Sequence, residues 1–168
     1  MRTLIDETST PTCADEPIER TERTAMLPTT LMTWATRVTG TFRVLGWEEA
    51  AYEEVAGLPT LVQAAVSEEL DGGIVGEASI SYLMIYRDDG VASFVGLVRV
   101  VGRIGQRLGT FVMQETGTFE GGVAMGHWTI LPGSSTGQLR GIRGEGAYTA
   151  GREHVSYSLT VSYAANGT

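Results

Sequence analysis

Pro132-Gly133-Ser134-Ser135-Thr136-Gly137-Gln138-Leu139-Arg140-Gly141-Ile142-Arg143-Gly144-Glu145-Gly146 is the stretch on which the fold turns. Its glycines recur at 133, 137, 141, 144 and 146. That spacing suits a backbone that bends sharply and passes close to another, because glycine has no Cβ to clash. Flanked by strand-like runs, the segment reads as the corner where a β-sheet rolls up and closes on itself. Function is then expected in the interior of a barrel.

Working outward, the runs on either side alternate in polarity. Trp34, Val38, Phe42 and Val44 share one face of a first strand, with Arg37, Thr39, Thr41 and Arg43 on the other. Glu48 to Pro59 reads as an acidic connection. Further strands are expected over about 60–70, 74–87, 91–104, 108–120 and 123–131, then 144–150 and 154–163. Asp71-Gly72-Gly73, Asp88-Asp89-Gly90 and Gly121-Gly122 supply tight turns between them. Tight turns force antiparallel neighbours, and eight such strands without helices predict an all-β fold, an up-and-down antiparallel barrel or a sandwich; a barrel of eight strands is of the size that holds one small ligand. Ile80–Tyr86 and Phe94–Val101 are apolar on both faces. Strands of that kind are covered on both sides, which predicts a homodimer or a covering arm.

The composition narrows the chemistry. All 12 cationic residues are arginines, which excludes a Schiff-base or P-loop lysine. One cysteine, Cys13, and two histidines, His127 and His154, provide neither a disulfide nor a usual zinc set. No metal or cofactor is therefore expected. A net charge of −8 argues against nucleic acid and anionic membrane as partners. No apolar run is long enough to span a bilayer, and the N-terminus does not read as a secretory signal, so a cytoplasmic protein is expected. Residues 1–28 are acidic, contain Pro11, Pro17 and Pro28, and show no apolar period. They form either a disordered tail or an arm that covers the barrel mouth, ahead of a single domain over 29–168.

Tyr82-Leu83-Met84-Ile85-Tyr86-Arg87-Asp88-Asp89-Gly90-Val91-Ala92-Ser93-Phe94-Val95-Gly96-Leu97 resembles a family of small bacterial proteins known only as domain-of-unknown-function family 3224. Val100-Val101-Gly102, Gly109–Gln114, Gly117-Thr118-Phe119, Trp128 and the glycine-rich segment continue the likeness, which covers about 34–163. The resemblance implies a closed eight-stranded antiparallel barrel like those of allene oxide cyclase and dirigent proteins, calycin-like in architecture, which guide ring closure or coupling of a reactive intermediate without a cofactor. Similar barrels in actinobacterial gene clusters act as cyclases, [4+2] cyclases of polyketide biosynthesis among them. Val98 and Glu115 depart from the family's usual pattern, in which Glu and His are frequent there.

Four residues are candidates for proton chemistry. Arg99 is in phase with Val95, Leu97 and Val101, and Glu115 with Phe111, Met113 and Phe119. A charge on an apolar face must be paired, so the two are expected to meet across a hairpin. They are read as a salt bridge or two solvent-facing strand ends, or as a carbonyl-polarising arginine beside a proton-transferring carboxyl. Glu68 follows Val62, Ala64 and Val66 in phase and reaches a barrel mouth or a solvated strand end. His127 follows Val123 and Met125, as a packing histidine or a proton carrier. Tyr82, Tyr86, Trp34, Phe42, Met84, Leu97, Met113 and Trp128 form either solid core or the wall of a hollow lumen. A hollow lumen points to a cyclase or isomerase that folds a small apolar molecule, possible without a nucleophile. The alternatives are a lipocalin-like carrier and a barrel filled by its own side chains.

Overall fold

The computed structural model describes residues 34–164; the acidic segment 1–28, with its expected role as a lid, lies outside them. The described chain is all β. Its strands are β1 (Thr36–Glu53), β2 (Thr60–Gly72), β3 (Ile74–Tyr86), β4 (Ala92–Ile104), β5 (Arg107–Glu120), β6 (Val123–Ile130), β7 (Thr136–Gly137), β8 (Ile142–Ala150) and β9 (Val155–Tyr163). Every pairing is antiparallel, and the ladder runs β4-β3-β2-β1-β9-β8-β6-β5 before β5 pairs with β4 and closes the ring. Eight strands thus make the barrel, and the two-residue β7 lies against the start of β5. No helix among the described residues is long and apolar enough to cross a membrane.

Two elements differ from the sequence expectation. The first strand does not stop near Val44 but runs to Glu53, pairing with β2 throughout. A bulge hides this continuation. Val44 opposes Glu68 and Gly46 opposes Ser67, so Leu45 is an extra residue that reverses the alternation beyond it. Period two therefore breaks in the sequence although the strand continues, and pairing outweighs the weak strand preference of Glu48-Glu49-Ala50.

The glycine-rich segment, secondly, is the β6–β8 connection rather than the seam of the sheet. Gly137, at φ 62°, lets it fold back onto β5: a side chain there would be strained, and its Cβ would lie 2.8 Å from the Leu108 carbonyl oxygen. The turn delivers Leu139, fully buried, to one end of the barrel. Leu139, Ile74, Phe111 and Ile142 fill that end. Tyr157 ties it together, its hydroxyl accepting from the Ile74 amide at 2.9 Å and donating to the Asp71 carbonyl at 3.2 Å. The barrel is thus plugged at the end where β2 meets β3 and β8 begins.

Candidate functional site

Toward the other end the lumen is hollow. A cavity of about 540 Å³ opens there, lined by Phe42, Tyr82, Met84, Phe94 and Tyr148, with Trp47, Tyr86 and Phe119 nearer the mouth. The space exists because the rings lie flat against the wall. Tyr82 faces Gly96 on the neighbouring strand, and Tyr148 faces Gly126. A Cβ on Gly96 would sit 2.6 Å from the Tyr82 ring, and one on Gly126 2.3 Å from that of Tyr148. Phe94 uses Gly117 in the same way. Glycine opposite an aromatic residue is a cross-strand arrangement that keeps the ring on the sheet, and here it leaves the barrel axis free. Edge-on contacts hold the set: Phe42 to Tyr148 at 5.3 Å and Tyr82 to Phe94 at 5.2 Å between ring centroids.

Two carboxyls are buried in this apolar surround. Glu115, 1% exposed, accepts from the Tyr82 hydroxyl at 2.9 Å and the Tyr148 hydroxyl at 2.5 Å, both through Oε1. It lies behind the two rings rather than in the lining. Burial pushes its pKa up, while the two phenols and the nearby Trp128 indole pull it back. That indole N–H lies near the carboxyl but off hydrogen-bonding geometry; it is the one fully enclosed side-chain donor without a partner among the described residues. Burial and the negative charge of Glu115 keep Tyr82 and Tyr148 protonated, so both remain donors.

Glu68 differs from Glu115. Only 6% exposed, it lines the cavity, and no hydrogen bond from the described residues reaches its carboxyl. Loss of water, then the charge of Glu115, raise its pKa to about 8. A third carboxylate stands at the mouth. The bulge at Leu45 turns Trp47 and Glu49 inward, and Glu49 accepts from the Trp47 indole at 2.8 Å and the Tyr86 hydroxyl at 3.1 Å.

The structure brings together Glu68, Glu115, Phe42, Tyr82, Met84, Tyr86 and Trp128 from the residues singled out in the sequence. It separates the rest. Arg99 does not meet Glu115: it opposes Ser79 and Val112 on the outer face, whereas Glu115 opposes Gly96 on the inner face. Leu97 shares that outer face at 53% exposure, and Val98 and Val100 point inward instead. Both phases of β4 are apolar, so alternation could not say which was inside. His127 is exposed between Thr116 and Ala147, because Trp128 takes the inner phase of β6. Trp34 is 83% exposed ahead of β1, and Met113 is buried outside the cavity lining. Tyr148, Phe94, Trp47 and Glu49 were not foreseen. The alternation Gly144, Gly146, Tyr148, Ala150 carries a signal for Tyr148, but none exists for Trp47 beyond the bulge.

Comparison with known proteins gives a consistent picture. The profile of the family described as "Protein of unknown function (DUF3224)" matches residues 38–161. The crystal structure of a protein of unknown function from the same family, from Shewanella oneidensis MR-1, superposes with a TM-score of 0.69 at 25% identity, covering 79% of this chain and 100% of that one. No curated protein matches the chain.

Proposed function

The chain belongs to the DUF3224 family of proteins of unknown function, and from that premise we propose that it is a cofactor-independent isomerase or cyclase acting on a small apolar molecule held in the lumen. One observation carries the reading: Glu68, a buried carboxyl without a hydrogen-bond partner among the described residues, faces an aromatic-lined cavity of about 540 Å³. That volume suits a small-molecule guest. A carboxyl raised to about 8 is a stronger base than an ordinary one and titrates near neutral pH. Glu68 takes a proton from one carbon of the guest and returns it to another, so atoms balance without a co-reactant. Glu115, held by Tyr82 and Tyr148, is the second buried carboxyl behind it. Phe42, Tyr82, Phe94 and Tyr148 hold the guest bent, which favours ring closure by restricting its conformers. An intramolecular [4+2] closure of a polyketide-like polyene is the form that needs this confinement alone. Leu83, Val95, Leu97 and Val101, about half exposed on the outside of β3 and β4, are the surface on which we place a second copy of the chain.

The test is turnover of polyketide-like polyenes, followed by chromatography for a product of unchanged mass. Conversion that falls in Glu68→Gln supports proton transfer, and conversion that persists supports confinement alone. Tight binding with no conversion of any substrate would leave a carrier and remove the enzyme.

A further inference from the structure

The charges around the cavity describe its guest more closely than its volume does. Among the described residues no arginine or histidine lines the cavity, yet Glu68 and Glu49 do. Glu49 and Glu115 each have two hydrogen-bond donors from the protein. Glu68 has none from the described residues, at 6% exposure. The arginines on either side in sequence point elsewhere: Arg43 pairs with Glu69, Arg87 with Asp89, and Arg99 lies on the outer face. A buried carboxylate with no counter-charge is costly, and the protein leaves this one facing open space.

The same polarity runs along the barrel axis. Arg37, Arg103, Arg107, Arg140 and Arg143 stand at the plugged end. The connections and strand ends around the open mouth carry Glu53, Glu54, Asp88, Asp89, Glu120 and Glu153 against Arg87 and Arg152. With a net charge of −8 behind it, such a mouth concentrates cations. The face of an aromatic ring attracts a cation as well, and the walls are phenol, phenyl and indole. No three carboxylates among the described residues converge as metal ligands would, so the arrangement suits a charge spread over a larger organic group.

Resting on the reading that the lumen holds a guest, we propose that this guest is an organic cation, an ammonium group on an apolar body, with the charge set against Glu68 inside the aromatic cage and the apolar remainder filling the cavity. Glu68 is the missing half of an ion pair that the ligand completes.

The probes are 4-phenylbutyl-trimethylammonium, its neutral tert-butyl isostere and the methyl ketone of equal length, titrated calorimetrically against the full chain. The ammonium should bind at least about tenfold more tightly than either neutral probe, and Glu68→Gln should abolish that preference while the isostere binds as before. The charge of this probe does not titrate, so its affinity for the unmutated protein should rise at least about tenfold from pH 6 to pH 8 as Glu68 loses its proton. Glu115, its own pKa raised by burial, Tyr82 and Tyr148 face Glu68, and Glu49 lines the same cavity; none of them adds a positive charge over that range. The pH series needs no variant, so it stands even if Glu68→Gln fails to fold. Equal binding of the ammonium and its isostere, or preference for the ketone, overturns the cationic guest and leaves the lumen reading intact. If none of the three probes enters, the lumen reading falls and this inference falls with it.

Discussion

Replacing Glu68 by Gln should make the protein more stable as pH rises. Folding moves the carboxyl from its ordinary value of 4.5 to about 8. A group whose pKa is raised by folding stabilises the folded state below its unfolded value and loses that contribution as pH climbs toward the folded value. Between pH 4.5 and 8 each unit of pH therefore costs the unmutated protein about 1.4 kcal/mol relative to the variant. From pH 5 to pH 8 this accumulates to about 4 kcal/mol, an upper figure because Glu115 relaxes when its neighbour is neutral. For a domain of this size that is roughly 10 °C or more in Tm. The assay is urea unfolding of both proteins at pH 5, 6, 7 and 8, followed by tryptophan fluorescence. The variant's fixed costs, such as an imperfectly bonded amide, shift its curve equally at every pH. Only the widening of the gap is diagnostic. Parallel stability profiles would mean that Glu68 is ionised at little cost, and the argument from its burial would be wrong.

Three further outcomes are expected. Gly96→Val should push the Tyr82 ring off the wall, abolishing probe binding and costing roughly 1–3 kcal/mol in urea unfolding; unchanged binding would show that the ring does not depend on that glycine. Leu139→Ala should destabilise by about 2–5 kcal/mol, since the fully buried side chain plugs the closed end, and a loss below about 1 kcal/mol in the same assay would contradict that role. Leu97→Arg should convert a dimer to a monomer in sedimentation equilibrium without lowering Tm, whereas an unmutated protein that already sediments as a monomer would remove the proposed contact.

What the amino-acid order determined by itself is the local and repetitive part of the design. Alternating polarity places Val62, Ala64, Val66 and Glu68 on one face, and the same period puts Glu115 with Phe111 and Met113. Tight glycine turns then force neighbouring strands to run antiparallel, so an all-antiparallel arrangement follows from short-range rules. Only the tertiary structure decided the rest. Where both phases of a strand are apolar, as on β4, the inner face is chosen by register with β3 and β5, and that choice sends Arg99 outward. One extra residue at Leu45 reverses the alternation from Gly46 to Ala51, which pairing with β2 reveals and periodicity conceals. Tyr82, Glu115 and Tyr148 lie 33 residues apart at each step and meet only because the ring of strands closes around them. Side chains distant in the chain acquire a shared environment, and with it their chemistry, from closure.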